Sequence, residues 1–234
     1  MSANKNLLYH DLREEARKGS LPALVGRAEE LQRLEGLVGR RVNNNAAIVA
    51  PAGSGKTALV WGLMRNLSRE SRFDKYALLQ LDAEHLADLD DEPALEERFS
   101  EALARIPSCV LFIDDIGREI ARNLPLAQRV HRLYKPLLAR PDVHLLFAMS
   151  PQEHAWMSRE YPPLLQQCEA LELKKQSGAE YARVLARKIP KLNAVRRRIV
   201  PDSALQEIVA FLERFPALGA LPRAGIQLLD EARA

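Results

Sequence analysis

The stretch APAGSGKT, residues 50–57, decides how the rest of the sequence is interpreted. It follows the apolar run AAIV, which is typical of a short buried strand. Gly53 and Gly55 let the backbone turn its N–H groups inward, and Lys56 and Thr57 follow at once. Because such a loop presents N–H donors, an ammonium group and a hydroxyl to one point, it is suited to the phosphates of a nucleotide.

The phosphate-loop pattern (Walker A) gives each residue of this stretch a task. Lys56 would reach the β- and γ-phosphates as a binding and catalytic residue, and the Thr57 hydroxyl would ligate Mg²⁺. The helix that follows would present its positive end to the same anion. A glycine-rich turn that happens to contain Lys-Thr is the alternative, but it requires neither the strand before nor the helix after. The residues expected to bind the nucleotide are Pro51, Ala52, Gly53, Ser54, Gly55, Lys56, Thr57 and Ala58.

A second motif, CVLFIDD at residues 109–115, supplies the other half of such a site. Its apolar residues predict a buried strand whose acidic end lies beside the phosphate loop in a parallel sheet. Asp114 would hold Mg²⁺ through its water shell, and Asp115 would orient the attacking water as a catalytic residue. A buried strand that ends in two solvated acids is the alternative. Together the two motifs (Walker A and Walker B) predict a site for ATP or GTP.

Strand patterns alternate with helical patterns up to about Lys175, which predicts an α/β fold with a parallel sheet covered on both faces. Three helical stretches separated by Pro, Gly and Asn follow. We expect a lead-in at residues 1–20, an α/β nucleotide-binding domain at 21–174 and a small all-α domain at 175–234. The predicted strands are NNNAAIVA, YALLQLD, CVLFIDD, VHLLFAMS and ALEL.

The composition excludes several other classes of protein. With 47% hydrophobic and 28% charged residues the chain reads as a folded protein, and a net charge of +3 permits an anionic partner without indicating one. Cys109 and Cys168 have neither the number nor the spacing of a disulfide framework or a metal site. No apolar run has the length of a signal peptide or a membrane span. We therefore expect a cytoplasmic protein without membrane insertion.

Three stretches resemble the first ATPase module of Clp-type (ClpA- and ClpB-like) AAA+ unfoldases. They are LLYHDL…VWGLM at residues 7–64, RLYKPLLAR at 132–140 and LPRAGIQLLDEA at 221–232. The resemblance implies the AAA+ P-loop NTPase fold: a five-stranded parallel sheet with flanking helices, a small all-α lid, and ATP with Mg²⁺ between them.

The resemblance also implies roles for four further residues. Leu24 and Val25 would pack against the adenine, and Ser150 would be the catalytic polar sensor of the γ-phosphate. Arg223 would be a second sensor in the lid, although a solvated helix charge is an equal alternative.

The chain departs from the Clp pattern at the residues that drive catalysis. The unfoldases carry Asp-Glu where this chain has Asp114-Asp115. A displacement of about 1 Å can lower a rate by about 10²-fold, so slow hydrolysis is expected. The unfoldases place an Arg-Arg pair where this chain has Gln166 and Gln167. An arginine finger neutralises charge on the γ-phosphoryl group, so a homo-oligomer is possible but would lack this cation at its finger positions.

The segment that grips substrate in the unfoldases is altered as well. Asp90, Asp91, Glu92 and Pro93 stand where Lys-Tyr-Arg-Gly is expected. A cluster of carboxylates cannot hold a substrate chain by stacking and apolar contact as an aromatic ring does. The preferred interpretation is a solvated acidic turn. On either interpretation the threading device is missing.

Three functions fit these observations. The first, which we prefer because both the finger and the threading segment are altered, is an ATP-binding regulator or assembly factor. It hydrolyses ATP slowly or only with a protein partner or larger assembly. The second is a DNA-associated AAA+ ATPase of the helicase-loader or transposition-helper kind, but nucleic acid is weakly supported because the arginines at 196–198 read as a solvated turn. The third is a scaffold that binds ATP without turnover.

Overall fold

A six-stranded sheet forms the centre of the molecule. The computed structural model describes residues 9–82, 93–121, 123–189 and 200–232. The strands are β1 (His10–Asp11), β2 (Ala46–Val49), β3 (Ala77–Asp82), β4 (Cys109–Asp114), β5 (Val143–Met149) and β6 (Glu169–Glu172). Their order across the sheet is β1-β3-β4-β5-β2-β6, and all neighbours are parallel except β1 and β3.

The α/β class and the five parallel strands predicted from the sequence are confirmed. The sixth strand, β1, was not predicted, because two residues are too few to show a periodic pattern. It pairs His10 with Gln80 and so ties the lead-in to the edge of the sheet.

Helices cover both faces of the sheet, which is why the central strands β2, β4 and β5 are buried on both sides. Ala46 and Ile48 face one hydrophobic cluster, whereas Ala47 and Val49 face the other. The first face is covered by α1 (Arg13–Lys18), α2 (Ala28–Val38) and α3 (Lys56–Leu67). The second face is covered by α4 (Pro93–Ala104), α5 (Ile116–Ile120), α6 (Leu124–Leu138), α7 (Pro151–Glu160) and α8 (Pro162–Leu165).

Side-chain caps mark the starts of two helices on the second face. Helix α6 begins at Leu124, where the Asn123 side chain accepts a hydrogen bond from the Leu126 N–H at 3.1 Å. Helix α7 was not predicted. Ser150 and Glu153 form a capping box at its start, with Pro151 in the first turn.

The C-terminal helices have a hydrophobic cluster of their own. They are α9 (Gly178–Ala186), α10 (Asp202–Arg214) and α11 (Arg223–Glu231). Tyr181, Leu185, Leu205 and Val209 are among its buried residues. The predicted division into residues 21–174 and 175–234 stays a prediction.

Two sequence predictions lie outside the described residues: the acidic run at 90–92 and the arginines at 196–198. Of the helices that the structure describes, none combines the length and the apolar content needed to cross a bilayer.

Asn45 is a buried polar residue that connects three segments below the sheet. Its side chain is 2% exposed, and its Nδ2 donates to Leu138 O at 3.3 Å and to Gln167 O at 3.4 Å. Its Oδ1 accepts from Leu145 N at 2.9 Å. Replacing it by alanine would leave these buried main-chain groups without partners.

We expect Asn45→Ala to lower the free energy of unfolding by about 2–4 kcal/mol, measured by urea denaturation. Val42→Ala is the control, because Val42 is 77% exposed, and it should change stability by less than about 0.5 kcal/mol. Equal stability of the two variants would contradict the bracing role of Asn45.

Candidate functional site

The phosphate loop connects β2 to α3, and two of its glycines are required by its shape. Gly53 and Gly55 have φ angles of 79° and 100°, in the left-handed region that favours glycine. A Cβ atom at Gly53 would also lie 2.6 Å from the Cβ of Arg223. Glycine at position 53 therefore allows both the turn of the loop and the close approach of α11.

Lys56 lies inside this loop. It is only 6% exposed, and its Nζ donates to Ala50 O at 3.0 Å and more weakly to Pro51 O at 3.4 Å. Burial lowers the pKa of Lys56, and the carboxylates of Asp115 and Asp114 oppose that shift. A buried ammonium beside the free N–H groups at a helix start favours an anion at this point.

Thr57 and Asp114 bring the two predicted motifs into contact. The Thr57 Oγ1 donates to the Asp114 Oδ2 at 2.7 Å, at the carboxyl ends of strands that are not neighbours. Burial raises the pKa of Asp114, while the hydrogen bond from Thr57 lowers it. A hydroxyl and a carboxylate are oxygen donors of the kind that Mg²⁺ prefers.

The pair fits Mg²⁺ only together with a phosphate ligand. Within the described residues no group of three or more His, Cys, Asp or Glu side chains could hold a metal ion. Mg²⁺ commonly takes one or two carboxylates and completes its shell with water and substrate phosphates. Thr57 and Asp114 would therefore hold the cation from the protein side.

Asp115 lies next to this pair in a conformation that is uncommon for aspartate. Its φ angle is 52°, and its N–H donates to the Asp114 Oδ1 at 3.1 Å. The left-handed turn ends β4 and places the exposed Asp115 at the start of α5, within electrostatic range of Lys56. A carboxylate in that place is accessible to a water molecule.

Ser150, the predicted γ-phosphate sensor, caps α7 at the end of β5. Its Oγ accepts from Glu153 N at 3.3 Å, and its own N–H donates to Glu153 Oε2 at 2.6 Å. The hydroxyl proton of Ser150 is not used in this capping box, so it can still be donated to a ligand.

Glu153 was not predicted as a site residue. Its carboxylate raises the pKa of Lys56, and a Cβ at Gly117 would lie 2.6 Å from its Oε2. It therefore packs behind the turn that carries Asp115. The Ser-x-x-Glu spacing after an apolar run is a capping signature that could have drawn attention to it.

Arg27 was also missed, and it joins three segments of the site. Its side chain is buried and its φ angle is 59°. The guanidinium donates to Ser54 O at 2.9 Å in the phosphate loop and to Lys174 O at 3.1 Å after β6. An ion pair with Glu30 at 3.2 Å balances its charge. The Gly-Arg pair ahead of α2 was the available signal, but its partners are remote in sequence.

Leu24 and Val25 lie in the segment just before α2, where it passes α3. Leu24 packs against Gly62, where a Cβ would lie 3.0 Å from Leu24 Cδ2. Val25 is half-buried, and its carbonyl accepts from Gln176 Nε2 at 3.1 Å. The predicted contact of both residues with adenine stays a prediction.

Arg223 approaches the phosphate loop from α11. Its main-chain N–H donates to Gly53 O at 3.3 Å, and its charge contributes to the lowered pKa of Lys56. By contrast, Gln166 and Gln167 lie after α8, exposed and half-buried respectively. Nearby Arg159 forms an ion pair with Glu160 at 2.6 Å. The structure thus brings Arg223 into contact with the phosphate loop.

Comparison with known proteins finds relatives of this chain. No protein-family model matches the chain. ClpB of Nitratidesulfovibrio vulgaris is 30% identical, and the match covers 96% of this chain and 27% of that protein. ClpB of Rhodopseudomonas palustris is 31% identical, and the match covers 96% of this chain and 26% of that protein.

Solved structures of S. cerevisiae Hsp104 have the same fold. The complex with casein matches with a TM-score of 0.79 and 24% identity, covering 97% of this chain and 40% of that one. The ADP complex matches with a TM-score of 0.80 and 24% identity, covering 95% and 39%. This chain is a distant homologue of ClpB. Its fold is that of one AAA+ module, as the resemblance implied.

The match is confined to part of each relative. The chain spans about a quarter of the length of the curated ClpB relatives, with 27% of one and 26% of the other covered. Relatedness to AAA+ ATPases is therefore established for this module. The activity of a whole chaperone is a separate matter.

We expect Lys56→Ala to weaken ATP binding by about 100-fold or more, since a charge-assisted bond to phosphate is lost. Titration calorimetry with Mg²⁺ and ATP measures the change. Lys75→Ala is the matched control, because Lys75 is exposed, and it should leave the Kd unchanged. If both variants bind like the unmodified protein, the phosphate-loop assignment is wrong.

Proposed function

We propose that this AAA+ module binds ATP and Mg²⁺ and hydrolyses the nucleotide slowly or only with a partner. It acts as a nucleotide-dependent regulator or assembly factor on a protein partner, and not as a threading unfoldase. The proposed binding of ATP and Mg²⁺ is supported by the 2.7 Å hydrogen bond between Thr57 and Asp114, with Lys56 buried beside it. The two motifs thus place a group that attracts an anion beside two oxygen donors suited to a cation.

In this proposal Lys56 neutralises the β- and γ-phosphates, and the first N–H groups of α3 contact their oxygens. Thr57 and Asp114 hold Mg²⁺, which supplies Lewis-acid stabilisation of the phosphate charge when it is bound. Asp115 orients the attacking water, and Ser150 donates its hydroxyl proton to the γ-phosphate. Leu24 and Val25 pack against the adenine, and the remaining residues of 51–58 surround the phosphates. Arg223 approaches from the lid at 175–234.

Slow turnover follows from the length of the Asp115 side chain. Its backbone is fixed by the left-handed turn and by the bond to the Asp114 carboxylate. An aspartate cannot extend from that position as far as a glutamate would. The attacking water is then held less closely, which lowers the rate without affecting the contacts to the phosphates.

Dependence on a partner follows from charge. Gln166 and Gln167 can donate hydrogen bonds but cannot neutralise charge on the γ-phosphoryl group. A partner that supplies an arginine would do so.

We expect Asp115→Asn to lower ATP turnover by about 10²-fold while the Kd for ATP stays within about threefold. Single-turnover hydrolysis and calorimetry on the same samples measure both. Asp74→Asn, an exposed aspartate, is the control for the loss of one carboxylate. Turnover that survives in Asp115→Asn at the original rate would remove Asp115 from the reaction.

The dependence on a partner is tested by restoring the charge at the finger position. The unmodified protein should hydrolyse ATP slowly, at a rate per molecule that does not change with protein concentration. Gln167→Arg should raise the rate by about 10-fold or more wherever sedimentation detects oligomers, because a neighbour then supplies the missing cation.

Gln128→Arg is the control, since it adds the same charge to an exposed position of α6. A rate of the unmodified protein that rises as larger species form would contradict the proposal. It would mean that another residue of this chain already acts as the finger.

A further inference from the structure

Gln176 is a buried amide between β6 and α9 with two fixed contacts. It is 8% exposed, its Nε2 donates to Val25 O at 3.1 Å, and its main-chain N–H donates to the Tyr181 hydroxyl at 3.2 Å. The first contact reaches the segment just before α2, and the second reaches the C-terminal helices. A glutamine is seldom buried without a polar role.

The backbone of the segment just before α2 is shaped to receive this amide. Gly26 has a φ angle of 70°, and a Cβ there would overlap the Gln176 Nε2. The same Cβ would lie 3.1 Å from Glu180 Oε1 on α9. Gln176 therefore packs against the peptide that follows Val25, with no side chain between them.

The orientation of the carboxamide is set by chemistry. A carbonyl only accepts, so the end that faces Val25 O is the NH₂ group. That group has two N–H bonds, and one is used by Val25. With Val25 O bound to the N–H that lies anti to Oε1, the syn N–H and Oε1 form a donor–acceptor pair along one edge of the side chain.

This pair matches one purine and opposes the other. Adenine presents the 6-amino donor beside the N7 acceptor, which glutamine contacts with two hydrogen bonds. Guanine presents O6 and N7, both acceptors, so Oε1 would face a second lone pair. The amide thus distinguishes the two bases by the group at position 6.

We propose that Gln176 is the residue that selects adenine over guanine, by accepting from the 6-amino group with Oε1 and donating to N7 with Nε2. The proposal rests on the proposed binding of ATP at this site. It assigns to the segment after β6 a direct contact with the base, opposite Leu24 and Val25. The base of a nucleotide bound there contacts both the segment just before α2 and the segment that leads into the C-terminal helices.

The test compares ATP with purine riboside 5′-triphosphate, which is ATP without the 6-amino group. Both compete with a ribose-labelled fluorescent ATP analogue for the unmodified protein and for Gln176→Met. The unmodified protein should prefer ATP by about tenfold, the effect of one lost hydrogen bond to a buried acceptor. In Gln176→Met the preference should fall to within about twofold, and the preference for ATP over GTP should fall with it.

Ser177→Ala is the control at the same junction. Ser177 Oγ accepts from Glu180 N at 3.3 Å and caps α9, but its side chain is too short to read a base edge. Its loss should weaken both triphosphates equally and leave their ratio unchanged. A ratio that falls in Ser177→Ala as far as in Gln176→Met would assign the selectivity to the placement of α9 and overturn the proposal.

Failure of this inference is distinct from failure of the proposed function. If the unmodified protein binds no ATP, the nucleotide site itself is wrong. If it binds ATP and purine riboside triphosphate equally well, the site stands and the role of Gln176 is refuted. That comparison needs only the unmodified protein, so it holds even if Gln176→Met does not fold.

Discussion

The hydrogen bond from Thr57 to Asp114 spans the strand that separates their own strands. Strand β5 lies between β2 and β4, so the loops after β2 and β4 can meet only above its carboxyl end. Parallel pairing places all three ends at one edge, and the crossovers that produce this order need helices on both faces. The position of the site is therefore a consequence of the strand order. Ser150, which follows β5 directly, lies near the pair for the same reason.

The buried cations at the carboxyl edge of the sheet contribute more to binding an anion than to the stability of the fold. Burying an ammonium or a guanidinium is costly unless partners compensate it. Arg27 has compensation from Glu30 and two carbonyls, so it can brace the phosphate loop. Among the residues that the structure describes, Lys56 has only loop carbonyls within hydrogen-bonding distance, and the nearby carboxylates act on it through space. An anion with several oxygens would satisfy Lys56 better than these carbonyls do, because the bonds would then be charge-assisted on both sides.

Sequence patterns could predict those parts of the site whose chemistry is local in the chain. The phosphate loop and the acidic end of β4 are each continuous, and strands buried on both faces are apolar without interruption, so all of them were predicted. The start of α7 was predictable from Ser150 and Glu153 but was overlooked. Arg27 and Gln176 are different, because their partners Lys174 and Val25 lie 147 and 151 residues away. No local spacing carries that information, and only the folded chain brings these residues to the site.

The remote contacts decide what the module can do with a nucleotide. Arg27 donates hydrogen bonds to the phosphate loop and to the segment after β6. Gln176 donates one to Val25 just before α2, and Arg223 on α11 donates one to Gly53. Any change in the position of the C-terminal helices must alter these bonds or move the loop with them. A ligand that contacts the phosphate loop at one end and the segment just before α2 at the other has different contacts for each position of the C-terminal helices. That difference in binding free energy is what shifts a conformational equilibrium. In the function that we propose, hydrolysis requires in addition a positive charge at the γ-phosphoryl group, which the glutamines after α8 do not carry. On that proposal, binding and conformational response are properties of this module alone, whereas rapid hydrolysis needs a charge that a partner supplies.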